Sequence, residues 1–206
     1  MIHICISSKL RRLFMATVAI MLLSVIAAWG ADSDATNPVL LIIDIQEFYF
    51  PGGAMPLVGP EAATDNAARL LADWRAAGRP VIHVGHKVAA GGAFHETVAP
   101  IDGERIVMKT EVSCFNGTGL FEDLKNAGVD QLVICGMQTH MCVEGAVRAA
   151  YDLGFDVVIA ADACATRDLI YGETTVTAAD VHAATLSTLQ GAYAEVLETV
   201  LVLDLF

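Results

Sequence analysis

Three residues of this chain have side chains suited to covalent catalysis through a thiol: Asp44, Lys109 and Cys142. Asp44 lies near the end of the apolar run VLLIIDI, Lys109 ends the run RIVMK, and Cys142 follows QLVICG by a few residues. A cysteine sulfur can attack an electrophilic carbon, a carboxylate can take and return its proton, and an ammonium can offset the charge. The three residue types therefore suit nucleophilic catalysis with proton transfer.

Cys142 stands where the sequence predicts the start of a helix. The positive end of a helix dipole and a nearby ammonium favour a thiolate, so we expect Cys142 to be the most nucleophilic thiol. Each residue also has a plainer interpretation. An Asp at a strand end often caps a turn, a Lys there is usually solvated, and a Cys at a helix start is usually just buried. Their joint placement after three strands favours catalysis.

Strands and helices alternate along most of the chain. Apolar runs predict strands at 39–45, 80–84, 105–109, 131–136 and 155–163, with a final strand within 194–205. Helical spacing predicts helices at 61–77, 119–127, 140–153 and 177–190. This order predicts an α/β fold with a mostly parallel sheet of about six strands and helices on both faces. The first and fourth strands are expected to be neighbours where the strand order reverses, which would bring Asp44 close to Cys142.

The first 30 residues have the composition of a secretory signal peptide. Lys9, Arg11 and Arg12 precede an uncharged stretch from Leu13 to Ala31 that ends in small residues. An uncleaved N-terminal membrane anchor and a later start at an internal Met are the alternatives. We expect a leader at 1–30, a spacer at 31–38, one domain at 39–206, and a periplasmic or secreted protein.

Charge and cysteine content exclude several classes of function. The net charge is −12, which argues against nucleic acid or anionic lipid as a partner. Beyond the leader, the cysteines at 114, 135, 142 and 164 form no C-x-x-C pair and have no zinc-site spacing. Their spacing predicts no disulfide. Cys135 and Cys164 lie in or beside apolar runs and are expected to be buried.

Three segments resemble the isochorismatase-like cysteine hydrolases: LLIIDIQEFYFPGGAMPLVGP, VMKTEVSCFNGTGL and LVICGMQTHMCVEGAVRAAYDLGFDVVIAADACATRD. The resemblance covers nearly all of residues 38–200, and the G-x-x-T-x-x-C-V block at 136–143 is specific for the family. It implies a Rossmann-like three-layer α/β/α fold and a catalytic triad at Asp44, Lys109 and Cys142. It also implies a non-proline cis peptide near Met137 and Gln138, and an oxyanion hole made by the backbone amides of Gln138 and Cys142.

The resemblance also bears on the reaction. Family members without the cysteine cleave the vinyl ether of isochorismate, whereas those with it mostly hydrolyse C–N bonds of amides, ureides or carbamoyl groups through a covalent intermediate. The presence of Cys142 favours C–N hydrolysis. The alternatives are vinyl ether hydrolysis, a non-catalytic small-ligand-binding protein of the same fold, and a thiol-redox protein, which the lack of C-x-x-C makes least attractive.

The histidines do not reproduce the metal site of the nicotinamidases in this family, which resemblance would place on an Asp-x-His pair and a further His. That pair is missing, so we predict no catalytic metal and no cofactor, and nicotinamide is a less suitable substrate. His83 is expected in the core, and His86 at a strand end is expected to line the pocket. His95 is available but lacks the paired acid.

Substrate contacts are harder to predict from the sequence. Phe48, Phe50 and Phe115 flank the site either as an apolar wall for a small planar substrate or as core. Gln46 follows Asp44 closely enough to orient it or to touch substrate. His140 is expected to face solvent and is not assigned as the base. The resemblance suggests a homo-oligomer, for which the apolar segment VLETVLVLDLF supplies either an interface or part of the chain's own core.

Overall fold

The computed structural model describes residues 36–206. The predicted leader and most of the predicted spacer lie outside the described residues. The strands are β1 (Pro38–Ile43), β2 (Val81–His86), β3 (Arg105–Lys109), β4 (Gln131–Met137), β5 (Asp156–Ala165), β6 (Leu169–Tyr171), β7 (Thr174–Val176) and β8 (Glu195–Leu197). The helices are α1 (Pro60–Ala76), α2 (Leu120–Asn126), α3 (Glu144–Asp152), α4 (Ala178–Leu189) and α5 (Thr199–Leu205).

Six strands form one parallel sheet in the order β3-β2-β1-β4-β5-β8. The order reverses between β1 and β4, which are hydrogen-bonded neighbours as the sequence predicts. Ile43 at the end of β1 pairs with Gly136 in β4, and His86 at the end of β2 pairs with Lys109 at the end of β3. This register brings the carboxyl ends of the central strands to one edge of the sheet.

The sheet separates two hydrophobic cores. Along β1, Leu41 and Ile43 contribute to the core beneath α2, α3 and α4, whereas Leu40 and Ile42 contribute to the core beneath α1 and α5. Both faces of β1 are therefore buried, which explains why its sequence is uniformly apolar rather than alternating. The three-layer α/β/α architecture predicted from the sequence is confirmed.

The C-terminal segment contains the predicted final strand, followed by a helix that was not predicted. The strand expected within 194–205 is β8, Glu195–Leu197, and Thr199–Leu205 forms α5. The Asp162 carboxylate accepts hydrogen bonds from the backbone nitrogen and hydroxyl of Thr199, at 2.7 and 2.6 Å, and so supports the start of this helix. Val202 of α5 is buried, while Val200 and Leu201 are about half exposed, so the segment joins its own core along one face only.

An antiparallel hairpin, β6–β7, was missed by the sequence reading. Its two strands have three residues each, and most of their side chains are exposed, so no alternation of apolar and polar residues marks them. Gly172 adopts a φ of 61° at the turn between them. Among residues 36–206, no helix combines the length and apolar character needed to cross a membrane.

Candidate active site

The three residues singled out by the sequence meet at the edge formed by the strand ends. The Lys109 ammonium lies 2.7 Å from the Asp44 carboxylate and 3.2 Å from the Cys142 sulfur. All three side chains are buried, and those of Asp44 and Lys109 are fully inaccessible. The site is therefore a charged cluster enclosed by apolar core, where electrostatic interactions are stronger than in water.

Asp44 occupies a constrained backbone position just after β1. Its φ is 51°, and it is the only non-glycine residue with positive φ in the described part of the chain. Its backbone nitrogen donates to the carbonyl of Val84 at 2.8 Å, which extends the β1–β2 pairing by one residue. Left-handed backbone is costly for a residue with a side chain, and such strain concentrates at functional sites. In this site the left-handed backbone conformation of Asp44 directs its carboxylate towards Lys109.

Cys142 lies in a single π-helical turn, Thr139–Val143, which connects β4 to α3. A helix over 140–153 was expected, and its first turn is widened in this way. The backbone nitrogens of Met141 and Val143 donate to the carbonyl of Gln138 at 3.0 and 3.2 Å. The predicted non-proline cis peptide is present between Met137 and Gln138. The oxyanion hole formed by the Gln138 and Cys142 amides stays a prediction.

Burial and mutual charge set the protonation of the cluster. Burial raises the pKa of Asp44 above its ordinary value, although the charge of Lys109 opposes this. Burial also acts to lower the pKa of Lys109, but Asp44 and Cys142 outweigh it, so the pKa of the ammonium is raised. Lys109 is therefore held as a buried cation, and the Asp44 carboxyl is made a stronger base than an exposed aspartate.

The helix start favours a thiolate at Cys142, but burial opposes ionisation of its thiol. That Cys142 is the most nucleophilic thiol stays a prediction. Burial, with the neighbouring Asp44 carboxylate, raises the pKa of the Cys142 thiol to about 12, and Lys109 offsets this only in part. The pKa values of Cys114 and Cys164 are raised by burial to a similar level. Ionisation alone therefore does not single out Cys142. Its distinguishing feature is the Asp44 carboxylate, which has an oxygen within 4.8 Å of the Cys142 sulfur and is a group able to accept a proton.

His86 supplies the third partner of the Lys109 ammonium, with its Nδ1 atom 3.0 Å from Nζ. His86 was predicted to line the pocket, and in the structure its ring contacts Lys109 of the triad. One ligand atom each of Asp44, His86 and Cys142 lie within 4.8 Å of one another, a grouping that could hold a metal ion. In this structure the cation among these three atoms is the ammonium of Lys109.

The Gln46 side chain binds the end of β2, and a contact between Gln46 and substrate stays a prediction. Its side chain is buried, and its amide nitrogen donates to the carbonyls of His86 and Gly92 at 3.1 and 2.6 Å. Its amide oxygen accepts from the backbone nitrogen of His86 at 2.7 Å. Both N–H groups are thus already used, so Gln46 is not available to donate to Asp44 or to substrate. It instead fastens the end of β2 beside the site.

The three phenylalanines proposed as an apolar wall make core contacts. Phe48 and Phe50 are buried in the core beneath α1, where the Phe48 ring packs on Tyr49 and the Phe50 ring stacks on His95. Phe115 packs on the opposite core and stacks with Phe155. Of the two alternatives, core packing is what the structure shows, and a role in substrate binding stays a prediction.

Tyr49 and Arg167, two polar residues near the site, were not identified from the sequence. The Gln138 side chain donates to the Tyr49 hydroxyl at 3.3 Å and accepts from the Arg167 guanidinium at 3.2 Å. It therefore links the loop after β1 to the loop after β5 across the turn that holds Cys142. Their only signal in the sequence was their position just after strands, which Arg167 shares with many surface residues.

Two further histidines, His83 and His140, have side-chain partners outside the triad. His83 is buried, as expected, and its Nε2 atom lies 2.8 Å from the Glu104 carboxylate, which also forms an ion pair with Arg75. Burial lowers the pKa of His83. His140 is partly buried rather than solvent-facing, and its Nδ1 atom lies 2.6 Å from the Thr166 hydroxyl. Among the described residues, Cys114, Cys135, Cys142 and Cys164 are free thiols.

Comparison with known proteins agrees with this architecture. Residues 38–199 match the model of the isochorismatase domain family. The chain is 40% identical over 171 residues to the uncharacterized isochorismatase family protein YddQ of Bacillus subtilis, covering 78% of this chain and 95% of YddQ. It is 29% identical over 185 residues to maleamate amidohydrolase of Pseudomonas putida, covering 78% of this chain and 82% of the relative.

Solved structures show the same fold. A structure assigned to the isochorismatase hydrolases, from Oleispira antarctica, superposes with a TM-score of 0.80 and 41% identity, covering 85% of this chain and all of the other. A cysteine hydrolase from Pseudomonas syringae gives a TM-score of 0.78 at 26% identity, covering 82% of this chain and 91% of that one. The fold and the site define an α/β hydrolase. The chain belongs to the isochorismatase family.

Proposed function

We propose that this hydrolase cleaves a C–N bond of a small amide, ureide or carbamoyl compound through a covalent intermediate on Cys142. The observation that carries the proposal is the position of Lys109, whose buried ammonium contacts both the Asp44 carboxylate and the Cys142 sulfur. A cation placed between a base and a thiol stabilises both the carboxylate before proton transfer and the thiolate after it. The Pseudomonas putida relative is named as an amidohydrolase.

The first half-reaction needs a proton acceptor beside the thiol. The Oδ1 atom of Asp44 is buried and has no hydrogen-bond partner among residues 36–206, while the carboxylate's other oxygen binds Lys109. Asp44 takes the Cys142 proton as the sulfur attacks the substrate carbonyl carbon. Collapse of the tetrahedral adduct breaks the C–N bond, and Asp44 returns the proton to the departing nitrogen. A thioester or thiocarbamate on Cys142 remains.

The second half-reaction reverses these roles. Asp44, again a carboxylate, takes a proton from water, and the resulting hydroxide attacks the acyl carbon. The carbon–sulfur bond breaks, the acid product leaves, and Cys142 recovers its proton from Asp44. The negative charge of each tetrahedral adduct falls on the former carbonyl oxygen, and the backbone amides of Gln138 and Cys142 are proposed to stabilise it.

Arg167 and Tyr49 support a substrate with a hydrogen-bond acceptor or a negative charge away from the scissile bond. Arg167 uses its Nε–H group on Gln138, and its other N–H groups have no partner within residues 36–206. The Tyr49 hydroxyl accepts from Gln138, so its own hydrogen is available to a ligand. A half-buried guanidinium favours a carboxylate over a neutral group. We therefore propose that small amides bearing a carboxylate are better substrates than their neutral analogues.

A substrate panel tests the proposal directly. Small amides, ureides and carbamoyl compounds, each with and without a carboxylate, would be assayed with wild type, Cys142→Ala and the matched control Cys164→Ala. We expect Cys142→Ala to lose turnover by orders of magnitude and Cys164→Ala to keep it. Mass spectrometry of quenched reactions should find the acyl group on the peptide that contains Cys142. Full turnover by Cys142→Ala would overturn the mechanism.

Vinyl ether hydrolysis is retained as an alternative because the matched family model is that of isochorismatase. A non-catalytic ligand-binding protein of the same fold is the other alternative. Turnover of isochorismate that persists in Cys142→Ala would support the first. Tight binding of a panel compound with no product formed, by correctly folded wild type, would support the second.

Export and self-association are separate proposals. The basic residues followed by an apolar stretch within residues 1–31 support export to the periplasm or beyond, with membrane attachment as the alternative if the leader is retained. A fusion of residues 1–38 to a reporter active only outside the cytoplasm should be active, and retention of the full-length protein in the cytoplasm would contradict export. Homo-oligomer formation is proposed from the family resemblance and is tested by light scattering.

A further inference from the structure

The contacts of Lys109 identify a fourth side chain in the proposed catalytic machinery. An ammonium has three N–H donors, and in this site each has one acceptor: Asp44 Oδ2 at 2.7 Å, His86 Nδ1 at 3.0 Å and Cys142 Sγ at 3.2 Å. Because the Lys109 side chain is fully buried, no water replaces a missing partner. The position of Nζ is thus determined by three acceptors of different chemistry, and His86 is the one without a direct part in the reaction.

The position of His86 is itself fixed by a buried residue. Gln46 accepts from the backbone nitrogen of His86 and donates to its backbone carbonyl, so both polar backbone groups of His86 are bound by one side chain. His86 also pairs with Lys109 in the register of β2 and β3. The imidazole is therefore held against the ammonium from two directions, by the neighbouring strand and by the loop that carries Asp44.

The hydrogen bond between Lys109 and His86 shows which ring nitrogen of His86 carries the hydrogen. Lys109 can only donate, so Nδ1 of His86 is the acceptor and the ring hydrogen lies on Nε2. If the acceptor is removed, one N–H of a buried ammonium has no partner, and the cation is expected to shift towards Asp44, its closest and strongest acceptor. Such a shift lengthens the contact with the Cys142 sulfur and weakens the stabilisation of the thiolate.

We infer that His86 is a positioning residue, which holds the Lys109 ammonium midway between Asp44 and Cys142. The inference rests on the proposed function, because it concerns a thiolate that forms during turnover. It differs from the substrate-lining role suggested by the sequence. A positioning residue affects the rate of the chemical step, whereas a residue that only lines the pocket affects substrate affinity.

Two amide variants of different length test the inference. His86→Asn places an acceptor oxygen near the position of Nδ1, whereas His86→Gln carries the same group one methylene further out, near the position of Nε2. We expect His86→Asn to keep most of the wild-type kcat and His86→Gln to lose about a hundredfold, since a misplacement of about 1 Å in a catalytic group costs that much. Neither variant should greatly change KM. His95→Asn, which alters a histidine stacked on Phe50, is the matched control and should behave as wild type.

Alkylation of Cys142 supplies a readout that does not depend on substrate. Iodoacetamide labelling as a function of pH should give a higher apparent thiol pKa in His86→Gln than in His86→Asn, because the ammonium then stabilises the thiolate less. Equal kcat and equal labelling profiles in the two variants would overturn the inference. A raised KM with unchanged kcat in His86→Gln would also overturn it in favour of substrate binding. If Cys142→Ala retains turnover, the proposed function fails instead, whatever the His86 variants do.

Discussion

Gly136 and Ile43 are register partners in the neighbouring strands β4 and β1, and their backbones approach too closely for any side chain on Gly136. A Cβ atom added to Gly136 would lie 2.0 Å from the carbonyl oxygen of Ile43, and the φ of Gly136 is 129°. Asp44 follows one of these residues directly, and the turn bearing Cys142 follows the other. This contact therefore determines the distance between the proposed base and the proposed nucleophile.

Gly136→Ala is expected to lower the free energy of unfolding by about 3 kcal/mol or more, because a Cβ at that position overlaps backbone atoms that cannot rotate away. Turnover should fall further than stability alone explains, since β1 and β4 must separate. The measurements are urea unfolding and kcat on the folded fraction. Gly145→Ala is the control, because its added Cβ would lie 2.9 Å from a side-chain methyl of the exposed Val112, which can move, and no closer than 3.7 Å to a backbone atom of another segment. Wild-type stability and activity in Gly136→Ala would contradict the close approach.

Asp44→Asn is expected to affect turnover and thiol alkylation in opposite directions. The Asp44 carboxylate raises the pKa of the Cys142 thiol, so its neutral replacement should lower that pKa and speed labelling by iodoacetamide at a fixed pH. The same change removes the proton acceptor, so kcat should fall by orders of magnitude. Labelling would be followed by mass spectrometry of the peptide containing Cys142. Slower labelling together with lost turnover would indicate only a damaged site.

Lys109→Met is expected to slow both processes. Loss of the ammonium leaves the Cys142 thiolate without its neighbouring cation, so the apparent thiol pKa should rise, and turnover should be almost abolished. Circular dichroism would confirm folding, because the Asp44 carboxyl also loses its partner. Lys125→Met, at an exposed position in α2, is the control. If Lys109→Met changed neither labelling nor turnover, the assignment of the triad would be wrong.

Glu104 is expected to make stability depend on pH. The Arg75 guanidinium lowers the pKa of this carboxyl from 4.5 to about 2, with help from the Ile101 amide and His83. The stabilisation is complete above pH 4.5 and is lost as the pH falls towards 2. It amounts to about 1–3 kcal/mol. Urea unfolding of wild type at several acidic pH values should show this loss. In Glu104→Gln the stability should be lower at neutral pH and fall less on acidification. If the free energy of unfolding of Glu104→Gln depended on pH as strongly as that of wild type, the role assigned to Glu104 would be wrong.

Chelation is expected to leave turnover unchanged. One atom each of Asp44, His86 and Cys142 already contacts the Lys109 ammonium, and a thiol with a neighbouring base can attack a carbonyl without a Lewis acid. The enzyme would be assayed after exhaustive dialysis against a chelator and again after addition of single divalent ions. A loss of turnover that one divalent ion restores would show that a metal takes part.

The sequence predicted the parts of the site that depend on the main sheet. Asp44, Lys109 and Cys142 each follow a strongly apolar run, and parallel strands place their carboxyl ends at one edge, so their meeting could be inferred without coordinates. The roles of Gln46 and His86 could not, because hydrogen bonds to backbone groups of another loop leave no pattern in sequence. The ionisation of Cys142 could not be predicted either, because it depends on how deeply the thiol is buried. The helix start predicts a thiolate, but burial beside a carboxylate outweighs it.

Two elements of the fold were not predicted, and packing determines both. The run TVLVLDL, just after the final strand, forms α5 because Asp162 supports its first turn and Val202 fits the core beneath that face of the sheet. The hairpin β6–β7 is too short and too exposed for periodicity to reveal it. Tertiary contacts determine the secondary structure of such short segments, whereas the composition of the long buried strands is enough to predict them.

Lys109 lies at the end of β3, which is an edge strand of the main sheet. β3 ends the sheet, pairs only with β2, and leaves Ile106 about half exposed. Edge strands of this kind fray at a lower free energy than central strands. Each such opening would withdraw the ammonium, whereas Asp44 and Cys142 would stay in the segments that follow the two central strands β1 and β4. We therefore expect inactivation to precede global unfolding. In mild denaturant, activity should vanish while the circular dichroism of the sheet persists, and hydrogen exchange at β3 should report the same transition as the enzyme assay.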